Sequence, residues 1–221
     1  ERIRSSRVMG TRNLAIALAR LSRPPRVMVS ASAVGIYGDR GQHVLDETSS
    51  PGEGFLASVA EQWEEATAPA EQAGIRVVHA RFGMVLSPRA GALQRMLLPF
   101  RWGVGGPVSE GTQHWSWVSL DDAAGAIHHA IQHEDLSGPI NVVAPQATTS
   151  REFAKTLGRV LRRPAVISAP AAALRFALGE MADPLLLAST RVVPQRLLDS
   201  GYRYRHDDLE HALRFQLGRT G

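Results

Sequence analysis

Ser32 closes the short apolar run Arg26-Val27-Met28-Val29-Ser30-Ala31-Ser32, and Tyr37 follows five residues later on the same connection. A serine hydroxyl can donate a hydrogen bond to a reacting oxygen, and a nearby phenol can move a proton. The run does not alternate apolar with polar, so it reads as a strand buried on both faces of a parallel sheet, and ligands of α/β proteins gather at the carboxyl ends of such strands. That place favours a functional Ser32 over a small residue filling a crowded strand end. For Tyr37 the plainer reading is a structural tyrosine, with a substitute acid as the alternative.

Other chemistries fail on spacing. A serine hydrolase would need glycine two residues either side of the nucleophile, and Ser32 has Ser30 and Val34 there. With no cysteine there are no disulfides, thiolate nucleophiles or thiolate metal sites. His129 and His133 have the i, i+4 spacing of a metal pair, but Ala126, Ile127 and Ala130 mark the inward face and no carboxylate is placed to orient them, so no metal is expected. Gly103-Val104-Gly105-Gly106-Pro107-Val108 lacks the third glycine of a dinucleotide turn and follows no strand. The one lysine, Lys155, follows Ala154, which excludes a Walker-type phosphate loop. Arg191 offers a guanidinium whose planar fork suits a substrate phosphate, with a surface salt bridge as the default alternative.

Charge narrows the partners. The pI of 10.3 suggests nucleic acid until the balance is taken: 25 Lys+Arg against 21 Asp+Glu leaves +4. All but one of the basic residues are arginine, which raises the pI, and they are spread along the chain, so no nucleic-acid partner is expected. No apolar run approaches the roughly 20 residues of a membrane span, and no signal-peptide pattern opens the sequence. A cytoplasmic protein with no membrane partner is the simplest expectation.

The elements that must position these residues follow from periodicity. Ser5 to Leu21 places Thr11, Leu14, Leu18 and Leu21 at helical spacing before Arg23-Pro24-Pro25. A long Gly-rich connection runs from Ala33 to Gly54. Val59, Trp63, Ala66 and Ala70 predict a helix, and a second buried strand covers 75–82. Gly91 to Phe100 reads as a short helix, Trp115-Ser116-Trp117-Val118 as a strand, and Asp121-Asp122 as the start of a helix. Pro139 to Val143 reads as another strand. Thr149 and Glu152 have capping-box spacing ahead of Phe153, Leu157, Val160 and Leu161. From Pro170 onward the pattern is mostly helix, broken at Gly179, Pro184, Pro194 and Gly201. Strands alternating with helices are the parallel α/β signature.

Ser30-Ala31-Ser32-Ala33-Val34-Gly35-Ile36-Tyr37-Gly38 resembles the Ser-rich strand end and Tyr-Gly of extended short-chain dehydrogenases and sugar-nucleotide epimerases. A more specific match comes from Trp63-Glu64, Arg81-Phe82-Gly83-Met84-Val85-Leu86, Gly91-Ala92-Leu93 with Met96-Leu97, Ser116-Trp117, Gly179-Glu180-Met181-Ala182 and Arg191-Val192-Val193-Pro194. Together these resemble, over essentially the whole chain, the atypical NAD(P)-dependent epimerase/dehydratase-like family that ends in a small helical domain of unknown function. The resemblance implies NADP(H), with NAD(H) second, and a small-molecule substrate in the nucleotide-sugar or small-carbonyl class. It makes Ser32 the residue that polarises the reacting oxygen, with Tyr37 the nominated proton donor. Ser30, Ala31, Arg81, Phe82, Gly83 and Val85 would border the cofactor, and Phe55, Trp117 and Arg191 the substrate. A homodimer is the assembly expected.

The departure is as informative as the match. Typical members carry Tyr-x-x-x-Lys on the helix after the serine strand, and the best overlay puts Phe55-Leu56-Ala57-Ser58-Val59 there. Phenylalanine cannot carry the proton, and valine cannot carry the charge. A cofactor-binding regulatory or interaction protein without catalysis is therefore the rival reading.

The expected fold is a Rossmann-type α/β, doubly wound parallel sheet with a smaller C-terminal substrate lobe. Residues 1–85 and 118–148 form the core. Residues 86–117 and 149–221 form the lobe, with 170–221 its helical domain. Because the chain opens inside a helix, the front of the fold, about three strands with their helices, is expected to be missing, and Val8-Met9-Gly10-Thr11 fits the helix after the family's fourth strand.

Overall fold

The computed structural model describes residues 2–179 and 183–219. In chain order, α1 (Arg2–Ala19), β1 (Val27–Ala33), β2 (Val44–Leu45), α2 (Phe55–Glu65), α3 (Ala68–Gln72) and β3 (Arg76–Phe82) come first. They are followed by β4 (Met84–Leu86), α4 (Gly91–Arg101), β5 (His114–Trp115), β6 (Trp117–Ser119), α5 (Leu120–Gln132) and β7 (Gly138–Val142). The last are β8 (Thr148–Thr149), α6 (Ser150–Leu161), α7 (Ala171–Leu178), β9 (Arg191–Val192), α8 (Gln195–Asp199) and α9 (Leu209–Gln216).

The three unalternating apolar runs become parallel neighbours in the order β1-β3-β7, with Val27 opposite Arg76 and Phe82 opposite Val142. Both faces are covered, as that pattern requires. Ala15 of α1 and Ala70 of α3 pack with Met28, Ile75 and Val77 on one side. Ala123, Ala126 and Ala130 of α5 pack with Val78, Ala80, Ile140 and Val142 on the other. A separate core of Leu93, Leu97, Phe100, Trp115, Trp117, Phe153, Leu157 and Leu213 joins α4, α6 and α9.

The feature that shapes the site is a fork at Gly83. Up to Phe82 the strand pairs with β7, and the Gly83 N–H still reaches Val142 O at 3.2 Å. One residue on, Met84 N–H donates to Ser116 O at 2.8 Å and β4 runs beside β6. Side chains cannot fit in the angle: a Cβ on Gly83 would stand 2.5 Å from Ser116 O and 2.8 Å from Val143 Cγ1.

Three local expectations are corrected. Residues 115–118 are two strands, because Trp115 pairs with Thr148 and Trp117 with Met84. Ser116 sits between them, its hydroxyl donating to Thr190 O and accepting from Val192 N. Arg191-Val192 is a strand parallel to β2, a pairing held from Val193 N to Leu45 O at 2.8 Å. The helix expected across 59–70 is two helices, α2 and α3, since Pro69 in the first turn of α3 has no N–H to continue the ladder. The capping box forms as expected, with Thr149 N–H donating to Glu152 at 2.8 Å. Within the motif Gly179-Glu180-Met181-Ala182, the last three lie outside the described residues.

Candidate functional site

Alternation along β1 divides its residues. Ser30 and Ser32 are buried together, while Ala31 is exposed and Ala33 half-buried on the opposite face. Ser32 therefore looks toward α2, where Ala60 and Glu64 form the inward row. Its hydroxyl donates to Glu64 Oε1 at 2.6 Å. On the neighbouring strand Arg81 faces the same way. Its Nε donates to Glu64 Oε1 at 2.8 Å and its Nη2 to Glu64 Oε2 at 2.9 Å, a bidentate fork. The remaining Arg81 nitrogen, Nη1, donates to the Tyr37 hydroxyl at 2.9 Å, and that hydroxyl donates to Asn141 Oδ1 at 2.8 Å.

The chain of bonds continues outward. Asn141 N–H donates to Glu47 Oε1 at 2.9 Å, and its side-chain amide to Val193 O at 3.0 Å. Ser32, Tyr37 and Arg81, separated in sequence, thus meet at the carboxyl ends of β1, β3 and β7. Burial pushes the Tyr37 phenol above its ordinary value despite the neighbouring Arg81 charge, and it raises Glu47 as well. For Arg81 burial is the largest single influence and acts against the charge, but the hydrogen bonds and charge interactions of Glu64 and Tyr37 together outweigh it and hold the guanidinium above its usual value.

His79 lies beneath this network. The Thr67 hydroxyl donates to Glu64 O at 2.7 Å, so it accepts from His79 Nε2, 2.9 Å away. Glu64 and Glu71 each approach the ring at 3.8 Å. Desolvation nonetheless holds His79 below its ordinary 6.5. The unfolded histidine therefore takes its proton first as pH falls. The stability that neutral His79 contributes is complete above pH 6.5 and is lost as pH drops through its folded pKa. Urea midpoints at about pH 7.5 and about pH 5.5 should fall more steeply in the native protein than in His79→Gln. Equal slopes would remove His79 from the acid response.

The other predicted residues divide. Phe82, Gly83 and Val85 line the fork half-buried. Trp117 is opposite Met84 in register, but its ring lies inside the second core and its indole N–H has no partner there. Phe55 opens α2 beneath the Arg4 guanidinium, 5.8 Å from the ring centre. Trp63, eight residues on, donates to Thr11 of α1 at 2.8 Å. Phe55, Val59 and Trp63 therefore form the α2 row turned to α1, away from the row that carries Glu64. Arg191 is exposed on β9, its charge acting on His114. Among the described residues, Phe55 and Arg191 make no hydrogen bond, ion pair or ring contact with Ser32, Tyr37 or Arg81.

Glu64, Asn141, Glu47 and His79 are the members that the sequence reading missed. One signal was present: His79 and Arg81 are polar residues two apart inside a strand buried on both faces, and such groups need partners. Among the described residues, no group of three or more His, Cys, Asp or Glu side chains is placed to hold a metal ion. His129 instead stacks on His133 and bonds Ser200 at 2.9 Å.

Residues 1–144 match the NAD dependent epimerase/dehydratase family, and residues 169–216 match a domain of unknown function, DUF1731. Epimerase family protein Mb2239 of Mycobacterium bovis is 41% identical over 219 residues, 99% of this chain and 72% of that protein. The crystal structure of human epimerase family protein SDR39U1 (isoform2) with NADPH superimposes with a TM-score of 0.92 at 35% identity, covering 97% of this chain and 73% of that one. The nucleoside-diphosphate sugar epimerase from Corynebacterium glutamicum gives 0.81 at 37% identity, covering 99% and 43%.

Proposed function

The chain belongs to the NAD dependent epimerase/dehydratase family, and from that premise we propose that it takes the nicotinamide end of NADP(H), with NAD(H) second, at the carboxyl ends of β1 and β3 and the start of β4, and there acts on a nucleotide sugar or small carbonyl compound. The fork at Gly83 carries this reading. It lies at strand ends, the usual place for a ligand in such sheets. Ala31, Ala33 and Phe82 to Val85 remain exposed or half-buried around it and are free of the buried hydrogen-bond network. When bound, the nicotinamide supplies or accepts the hydride. The glycine turn that would cradle a pyrophosphate is not among these residues, so the fit concerns the nicotinamide end alone. Relatives named as nucleoside-diphosphate sugar epimerase and as an NADPH complex support the substrate and cofactor classes.

Within this reading the Ser32 O–H leaves Glu64 and polarises the reacting oxygen beyond the carboxyl end of β1. Tyr37, completely buried and bonded on both sides, acts as a positioning residue through Arg81 and Asn141. Residues 86–117 and 149–221 are assigned to substrate binding.

A second reading has its own observation. Ser32 and Tyr37 each give their only hydroxyl proton to an internal acceptor, which suits a protein that binds cofactor without turnover. Assays with NADPH, UDP-sugars and small aldehydes in the full-length protein separate the two. Catalysis without a free tyrosine acid should be slow, about 10²–10⁴ below an enzyme that has one, and Ser32→Ala should lower it further. No turnover with cofactor demonstrably bound, and no effect of Ser32→Ala, would establish the second reading.

A further inference from the structure

Five apolar side chains stand well out of the surface in two adjacent segments: Leu98, Trp102 and Val104 leave 65%, 79% and 53% of their area open, and Val166 and Ile167 leave 80% and 52%. The segments run side by side. Ala169 N–H donates to Pro107 O at 2.9 Å, Ser109 N–H donates to Ala169 O at 2.8 Å, and a Cβ on Gly103 would touch the Pro164 ring at 3.6 Å. Phe176, on the helix that begins two residues after Ala169, is 95% open. Apolar surface grouped in this way marks a binding face.

The charge within the two segments has one sign. Residues 94–109 and 161–170 contain no aspartate or glutamate and carry Arg95, Arg101, Arg162 and Arg163. All four are exposed, and among the described residues none has a side-chain hydrogen bond or ion pair. We infer that this face docks peripherally on an anionic lipid bilayer, with Trp102, Val166 and their neighbours at headgroup depth and the arginines on lipid phosphates. Side chains that project this far suit insertion between headgroups better than a pocket on a partner. Of the five, only Trp102 offers a nucleic-acid base a ring to stack on, and the four aliphatic side chains suit acyl chains. No described helix is long and apolar enough to cross a membrane, so the contact is with one leaflet surface.

Sedimentation with vesicles tests it. Vesicles of phosphatidylcholine with about one third phosphatidylglycerol should carry the protein down, and vesicles of phosphatidylcholine alone should not. Added salt should weaken the binding. Trp102→Ser with Val166→Ser, and separately Arg162→Gln with Arg163→Gln, should each reduce it about tenfold while leaving the thermal midpoint unchanged. Three results would overturn the inference. One is no binding to anionic vesicles, or binding indifferent to both variant pairs. Another is a Trp102-dependent dimer in sedimentation velocity without lipid binding, which would give the face to a second copy. The third is retention of single-stranded DNA, but not vesicles, by the same arginines.

Discussion

Replacing Glu64 with alanine should destabilise the protein by about 3–5 kcal/mol, the usual cost of breaking a buried ion pair from one side. The Glu64 and Arg81 side chains are only 12% and 8% exposed, so water cannot replace the lost partner. Arg81 would be left with the Tyr37 hydroxyl as its one acceptor, and the Ser32 hydroxyl with none. In a chain of this size that corresponds to a fall in thermal midpoint of about 6–20 °C. Removing both charges, as Glu64→Ala with Arg81→Met, should recover a large part of the loss, because the uncompensated cation is what costs most. Urea unfolding of the two single variants and the double variant gives the coupling directly. A loss below about 1 kcal/mol would mean that the pair behaves like a solvent-exposed one.

Asp122→Ala should cost about 2–6 kcal/mol and should loosen one end of the molecule specifically. Its carboxylate is completely buried at the start of α5 and accepts from Ser119 Oγ at 2.7 Å, Arg205 N at 2.8 Å and His206 N at 3.0 Å. The Tyr202 hydroxyl adds a bond at 3.2 Å, and burial together with the Asp122 charge holds that phenol above its ordinary value. Alanine would orphan two backbone N–H groups of the segment leading into α9, each costing about 1–3 kcal/mol. Limited trypsin digestion should cut the variant after Arg203 or Arg205, both exposed, at protease levels that the native protein resists. The Asp122→Asn variant, keeping one acceptor oxygen, should fall between. Equal digestion of all three would show that Asp122 only caps its own helix.

What could be read from the sequence was local. Three strands buried on both faces, the helix behind each, and the Thr149–Glu152 capping box are patterns within a dozen residues. The site was legible only as separate pieces. Ser32 meets Glu64 across 32 residues, and Tyr37 meets Asn141 across 104, so no spacing rule joins them. Glu64 stood in plain sight beside Trp63, but an acidic residue on a helix is ordinarily solvated, and only the packing of α2 on β1 turns it inward. Arg191-Val192 failed for a different reason: two residues are too short for a periodicity, and the strand exists because β2 lies beside it. The Phe55 and Val59 overlay matched residue types without showing which face of α2 they occupy, and the contacts with Arg4 and Thr11 supply that face.

The central claim is that a nicotinamide ring lies at the strand ends beside the Gly83 fork. Titrating NADPH into the full-length protein and following its fluorescence, with Ala33→Leu alongside, tests this most directly. Ala33 ends β1 on the side away from Glu64 and makes no side-chain bond in the buried network. A leucine there should intrude on the ring and weaken NADPH binding by about tenfold or more, near 1.4 kcal/mol, while the thermal midpoint stays put. NADPH binding that Ala33→Leu leaves untouched would contradict the account.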